Sequence, residues 1–507
     1  MPDEATTSRG AAATEAGEGE DVVYARRWWI LAVLGLAQLM IVLDITVVNI
    51  ALPSAQKALH FSNDSREWIV TAYALAFGGL LLAGGRLGDL FGRKRLFIAS
   101  TIGFAAASAA GGAAQSFGML VAARGLQGVF AALMAPAALS LTSTTFTDPH
   151  ERATAFGIWG AIGGAGAAIG LLLGGVLTQD LSWRWTLLVN LAFAAPAALG
   201  AVALLRRDVT SAREPIDVPG TLTATAGLFA LVYGFAYAQN HSWGSSTTIA
   251  FLAAGAVLLT VFVAIQARAV HPLMPLRVVL DRNRGGSYLA LGIAGLGLFG
   301  VFLFATYYFQ QTKGYSPTTT GLAFLPLSAA VVIAAAVANA QIVPRTGPRP
   351  VVASGMALTA IAMGLLAQLG VHSNYAAGLL PALVMAGVGV GLLYAPATDF
   401  AVRGVEPADA GVASGLVNAT NQVGGSLGLA LLSTLAATAT RHDLAGKHPS
   451  PSVIAQAAVH GYTTGFWWAA GFFAAGALIT GLLLHGRTPE AAPRTEGEAQ
   501  LQPAGAN

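Results

Sequence analysis

Asp44 and Arg124 are the two charged residues of this 507-residue chain that lie clearly inside long apolar runs. Asp44 falls in "LGLAQLMIVLDITVVNIALP" (34–53), and Arg124 in a run that begins near residue 117. An ionised carboxylate in such surroundings costs several kcal/mol unless something compensates it. A carboxylate held between apolar surroundings and a guanidinium feels opposing influences and can bind and release a proton. The plainer alternative is a static structural ion pair. If the first run crosses a membrane outward from about residue 28 and the fourth crosses inward, Asp44 lies about 24 Å along its helix and Arg124 about 10 Å along its own. In a hydrocarbon layer about 30 Å thick the two then sit at similar depth.

Composition indicates what positions them. The chain is 55% hydrophobic and only 10% charged, whereas roughly a quarter of a typical soluble domain is charged. Apolar runs of about 20 residues recur from residue 28 to residue 485, which predicts an all-α polytopic membrane protein. Fourteen candidate spans follow: about 28–50, 67–87, 96–115, 117–142, 153–177, 185–205, 217–238, 247–267, 286–310, 320–341, 351–370, 376–400, 411–437 and 463–485. They group as six, two and six. The division predicted is 26–208, a central pair in 209–270, and 271–486, with 1–25 and 487–507 as disordered cytoplasmic tails. Basic residues fall mainly on one side, including Arg26, Arg27, Arg93, Lys94, Arg95, Arg206, Arg207, Arg282 and Arg345. The positive-inside rule makes that side cytoplasmic and puts both termini there. A pI near 9.2 is thereby explained by topology and not by nucleic acid. The chain has no cysteine, which excludes disulfides and thiolate metal sites.

The loop "GGRLGDLFGRKRLF" (84–97) carries a second pattern. Gly85 and Gly88 remove bulk where two helices can approach closely. Asp89 and Arg93 are four residues apart and can pair. Arg93, Lys94 and Arg95 then turn the chain at the interface. A fainter counterpart, "QIVPRTGPRPVV" (341–352), follows the second run of the last group and suggests an internal duplication.

Gly85, Leu87, Asp89, Gly92, Arg93 and Lys94 match the signature loop of the major facilitator superfamily, G-x-L-x-D-x-x-G-R-K. "LDITVVNIALP" (43–53), "RGLQGVFAA" (124–132), "WRWTLLVNL" (183–191), "YYFQQTKGYSPTTTGLAFLP" (307–326) and "GVASGLVNATNQVGGSLGLALL" (411–432) resemble its fourteen-span drug:proton antiporters of the EmrB/QacA type. The resemblance implies the major facilitator fold: two six-helix bundles plus two extra central transmembrane helices. It implies that spans 1 and 4 meet at a central cavity, so that Asp44 and Arg124 compensate each other and couple transport to protons. It also implies a gate latch at Gly85, Asp89, Gly92, Arg93 and Lys94, engaging a helix that starts near Asp409–Gly411. The fifth-span antiporter motif corresponds to Gly163, Gly170, Gly174 and Gly175, but Leu171 stands where proline is expected, which removes the reason for a kink there. Candidate cavity residues are Gln38, Asn49, Gln127, Trp159, Tyr307, Gln310, Asn418, Asn421 and Gln422.

The implied activity is proton-driven efflux of small amphipathic neutral or monocationic drugs from the inner membrane of a bacterium. Its partners are the lipid bilayer and the drug, with no nucleic acid, no metal, and no cofactor beyond the proton as coupling ion. A monomer suffices. A solute:proton symporter and a non-transporting receptor are the competing readings. Two enzyme-like patterns, "GLGLFG" (295–300) and "GGSLG" (424–428), lie inside apolar runs without the strand–turn–helix context that gives them meaning. No phosphate-binding loop is present. The chain is not expected to be an enzyme.

Overall fold

The computed structural model describes residues 4–62, 65, 66, 68–205, 217–270, 272–403, 405, 410–448 and 450–484, with backbone alone over 4–25 and at scattered helix positions such as Asp89. No strand occurs among them. The long helices are α1 (Glu4–Leu59), α2 (Trp68–Phe91), α3 (Arg93–Gly112), α4 (Phe117–Thr145), α5 (Pro149–Val176), α6 (Trp185–Leu204), α7 (Val218–Asn240), α8 (Ser246–Gln266), α9 (Arg282–Tyr307), α10 (Pro317–Val337), α11 (Pro348–Leu366), α12 (Leu380–Val402), α13 (Ala410–Leu444) and α14 (Pro451–Leu483). Residues 4–25, expected as a disordered tail, continue α1; their alanines and glutamates favour helix. Residues 487–507 and Asp409 lie outside the described residues.

Eleven stretches among the described residues are long and apolar enough to cross a membrane. α2, α3 and α5 are not among the eleven. α2 and α5 contribute shorter apolar stretches, Trp68–Leu81 and Ala168–Leu181, and α3 is built largely from alanine, glycine and serine.

Helix ends are closed locally. Ser116, Asp217, Asp281, Ser316 and Ser450 each accept a first-turn backbone N–H, at α4, α7, α9, α10 and α14, as caps do. Basic side chains close three C-terminal ends, where carbonyls lack intrahelical partners. Lys94 donates to the Val202 carbonyl at 2.9 Å and to that of Leu205, at the end of α6. Arg184 donates to Gly112 at 3.0 Å and to Ala114, at the end of α3. Arg282 donates to Leu483 at 2.9 Å and Leu482 at 2.7 Å, at the end of α14. Arg27, within α1, pairs with Glu151 in the first turn of α5 at 2.6 Å. The end of the molecule that carries Arg27, Lys94 and Arg282 is called the basic end below.

α1 packs on α4, α5 and α6, α2 on α4, and α3 on α4 and α6. The same pairings recur eight helices later: α9 on α12, α13 and α14, α10 on α12, and α11 on α12 and α14. The two sets meet through α2 against α13 and α5 against α10. α7 lies on α2 and α13 and carries α8. It is bonded to both neighbours, through Thr225 Oγ1 to the Gly79 carbonyl and Thr434 Oγ1 to the Phe235 carbonyl, each 2.8 Å. One large apolar core occupies α1, α2, α3, α4 and α6 of the first set. A second joins α9–α14 to Val48, Ile50, Ala51 and Leu52, so the far end of α1 is packed into the second set.

Candidate functional site

Asp44 is fully buried, and every group that holds it comes from the first six helices. Arg124 Nη1, on α4, donates to Asp44 Oδ2 at 2.5 Å. Gln127 Nε2, one turn further along α4, donates to Asp44 Oδ1 at 2.9 Å. Asn190 Nδ2, on α6, donates to the same oxygen at 2.8 Å. Both amides also donate to Ser108 Oγ on α3, at 2.7 and 3.3 Å. Arg124 also donates to Gln127 Oε1 at 2.8 Å and to the Ile69 carbonyl at 3.2 Å. Its guanidinium carbon stands 4.4 Å from the centre of the Tyr73 ring on α2. A buried ion pair offsets its desolvation only when the remaining donors and acceptors are also satisfied. The carboxylate oxygens accept three hydrogen bonds here, and the guanidinium reaches three acceptors.

The structure brings Asp44 and Arg124 into direct contact, and Arg124 lines a small pocket with Val48, Leu52, Ile69, Leu120 and Trp183. They are enclosed within the first set, because Ser108 and Asn190 supply hydrogen bonds on that side. Gln127, expected as a cavity residue, belongs to this network. Nothing in the sequence singles out Ser108, and Asn190 appears there only within "WRWTLLVNL" (183–191). Asn190 did carry a signal: it lies about 8 Å along α6 from the end opposite the basic one, at the depth of Arg124.

The two helix sets close against each other at the end opposite the basic end. The Arg66 guanidinium carbon stands 3.3 Å from the centre of the Tyr307 ring, the closing residue of α9. Gln310 Nε2 donates to the Ile50 carbonyl of α1 at 2.9 Å. A Cβ on Gly175 would come within 2.7 Å of the Thr318 Cα of α10, and one on Gly321 within 2.5 Å of the Leu171 carbonyl of α5. Tyr307 and Gln310 are thus seam contacts in this structure and not the lining of an open cavity.

The remaining expected residues are dispersed. Gly170 and Gly174 let α5 approach α1, where a Cβ on Gly174 would be 2.9 Å from Val47 Cα. α5 runs unbroken past Leu171 to Val176, without a proline kink. Gly163 lies on α5, and its surroundings are outside the described residues. Asn49 and Gln422 are buried, and neither amide oxygen has a hydrogen-bond partner. Asn421 donates to the Leu291 carbonyl at 3.5 Å within the second set. Trp159 packs on the core of the first set. Gln38 and Asn418 are half-buried.

In the signature loop, the close helix approach falls on Gly84 and not on Gly85. A Cβ on Gly84 would overlap the Ala132 carbonyl of α4, whereas one on Gly85 would make ordinary contact with Pro136 at 3.8 Å. Gly88 likewise has room. Gly92 has φ of +90° and leads into α3, a conformation that favours glycine. Asp89 lies in the last turn of α2, and its side chain lies outside the described residues. Asp399 pairs with Arg403 at 2.8 Å, and both are more than 40% exposed. Among the described residues no cluster of acidic or histidine side chains could hold a metal.

A family model described as the Major Facilitator Superfamily matches residues 34–429. The chain belongs to the major facilitator superfamily. It is a multi-pass membrane transporter and not an enzyme. Within the superfamily it is 47% identical, over 94% of its length and 95% of the relative's, to a puromycin resistance protein of Streptomyces alboniger. It is 37% identical to a cephamycin export protein of Amycolatopsis lactamdurans, over 80% of this chain and 84% of that one. A tetracenomycin C resistance and export protein of Streptomyces glaucescens is 34% identical, over 82% and 76%. Solved structures share the fold at low identity. An auto-inhibited POT family peptide transporter gives a TM-score of 0.65 at 17% identity, covering 90% of this chain and 96% of that one.

Proposed function

We propose that this major facilitator protein exports small amphipathic antibiotics across the bacterial inner membrane in exchange for protons. The observation that carries export is the 47% identity, spanning 94% of the chain, to a protein named for puromycin resistance. The relative named for cephamycin export points the same way. The proton step rests on Asp44, an acid held by a complete set of donors inside the bundle.

The reading takes all fourteen long helices as spans of the EmrB/QacA arrangement. α2, α3 and α5 have 24, 20 and 28 residues, and 20 residues of helix cover about 30 Å. Residues 26–208 and 271–486 are the two six-helix bundles that rock against each other, and 209–270 hold the central pair. The basic end is cytoplasmic, so both termini are inside and the closed seam faces out. The protein works as a monomer in the bilayer and uses no cofactor besides the proton.

Substrate charge follows from the inventory of acids. A dication in a low-dielectric cavity needs more than one anionic partner. Asp44 is already occupied, and Asp399 is exposed and paired with Arg403. Neutral and monocationic compounds therefore fit best.

Everted membrane vesicles test the proposal, with puromycin as first probe and a panel of antibiotics beside it. An acidified lumen should drive drug uptake, and collapsing the pH gradient should stop it. Uptake driven only by an alkaline lumen would identify a symporter. Absence of flux for the whole panel in proteoliposomes would end the transport-of-antibiotics reading.

A further inference from the structure

The four amide N–H groups of Gln127 and Asn190 are shared between two acceptors, Asp44 Oδ1 and Ser108 Oγ. The amide oxygens are treated differently. Gln127 Oε1 accepts from Arg124 at 2.8 Å, while Asn190 Oδ1 is buried with no hydrogen-bond partner. A buried acceptor left open beside a carboxylate costs stability.

A proton arriving on Asp44 creates an O–H that must find an acceptor. Arg124 offers none. Gln127 Oε1 is taken by Arg124, and Ser108 Oγ already receives two N–H groups. Tyr73 contributes a ring face to Arg124, and among the described residues Arg124 is the only charged side chain that pairs with Asp44. The Tyr73 hydroxyl and Asn190 Oδ1 are both buried without a partner, and Asn190 Oδ1 is the one on the amide whose nitrogen holds the carboxylate at 2.8 Å.

We propose that Asn190 is a two-position partner of the coupling acid, donating through Nδ2 when Asp44 is charged and, after its amide turns over, accepting the carboxylic O–H through Oδ1 when Asp44 is protonated. Ser108 completes the exchange. Its hydroxyl accepts from Asn190 in the first position and rotates to donate to Asn190 Oδ1 in the second, since a hydroxyl can do either. The proton resides on an Asp44 oxygen throughout the second position, and no bond other than that O–H is made or broken. The acid is thus partnered in both charge states without backbone movement, while the Nδ2 group takes the site that Oδ1 leaves open in the first position. Asn190 is a positioning residue. The inference rests on the proton-carrier reading of Asp44.

Infrared difference titration of the purified protein in detergent tests it without any drug. The parent should show the carbonyl band of one protonated carboxylic acid growing as pH falls, and Asp44→Asn should remove it. A titration with no band sensitive to Asp44→Asn would overturn the proton-carrier reading, and this inference with it. Given that band, Asn190→Leu removes donor and acceptor together. Its pH midpoint should rise by less than about one unit, because the protonated state also loses a hydrogen bond, which offsets part of the larger loss in the charged state. The acid band should move, because its O–H has lost its acceptor. Asn190→Ser, whose hydroxyl can donate and accept, should return the band toward the parent position. If Asn190 only ever donates to the carboxylate, Asn190→Leu will instead raise the midpoint by about one unit or more and leave the acid band in place. That result overturns the inference and leaves the role of Asp44 intact. Thermal melts of both variants establish that they are folded.

Discussion

The Arg66 guanidinium faces the ring of Tyr307 across the seam between the two helix sets, with 3.3 Å between its central carbon and the ring centre. A guanidinium over a tyrosine contributes about 0.5–2 kcal/mol, depending on how dry the contact is. Both residues are at least 95% buried. Tyr307→Leu should therefore loosen the closed mouth and shift the balance of states severalfold, while Tyr307→Phe, which keeps the ring face, should not. The chain has no cysteine of its own, so single cysteines placed at either mouth report the bias through labelling rate. Equal labelling in the leucine variant and the parent would count against a latch.

Asp44→Asn should abolish export driven by a pH gradient while leaving the protein inserted and folded. The amide keeps the shape of the carboxylate and removes its titration. Asp44→Glu should retain part of the activity. Wild-type pH-driven efflux from the asparagine variant would sink the proton-carrier assignment.

Arg124→Ala should destabilise the protein by about 3–5 kcal/mol, since it strands a buried carboxylate. Adding Asp44→Asn to that variant should recover part of the loss, because the stranded charge is then gone. Thermal unfolding in detergent measures both. A double variant less stable than Arg124→Ala would mean that packing, and not charge, dominates the site.

Gly84→Ala should impair folding and insertion, whereas Gly85→Ala should remain within about 0.5 kcal/mol of the parent. The first Cβ has to displace backbone of α4, and the second meets ordinary contact. Expression and melting temperature of the pair decide it, and equal behaviour would show that the α2–α4 contact differs from the one described.

Asp281 caps α9 outside the apolar run. Burial works against its charged form, but the backbone N–H of Arg284, the Arg284 side chain and the backbone N–H of Asn283 outweigh it and hold the carboxyl below its ordinary value. A carboxyl with a lowered folded value adds stability above its unfolded value, about 3.9, and that contribution is lost as pH falls through the folded value. Asp281→Ala should cost about 0.5–2 kcal/mol at neutral pH, toward the lower end because the carboxyl is 40% exposed. The difference from the parent should shrink below pH 4. A difference that stays constant from pH 7 to pH 3 would assign the effect to something other than the charged cap.

The buried pair was legible because charges inside apolar runs are rare and their depths can be estimated from helix rise. Ser108 was not legible. A serine among the alanines of "AAASAAGG" looks like any small packing residue until α4 and α6 bring two amides to it. Gly84 was obscured for a related reason: "GGRLG" holds three glycines, and only the rotational phase of α2 against α4 determines which one meets backbone. Arg66 was not legible, since nothing in its own neighbourhood indicates that Tyr307, 241 positions later in the sequence, will lie beneath it. The fold was easier to read than the site, because apolar length is local and side-chain partnership is not.

Arg124 donates to the carbonyl of Ile69 at 3.2 Å. The N–H of that same residue donates to the carbonyl of Arg66 at 3.3 Å, and Arg66 covers Tyr307. On α1, the acid and the Ile50 carbonyl that receives Gln310 are six residues apart, about 9 Å. Asp44 and the closed mouth are thus joined by two short mechanical linkages, one along α1 and one through the first turn of α2. On the proposed reading, a signal from proton to gate has no long wire to travel: a reorientation of one guanidinium acts on the Ile69 carbonyl, and the N–H of that residue is bonded to Arg66 of the latch.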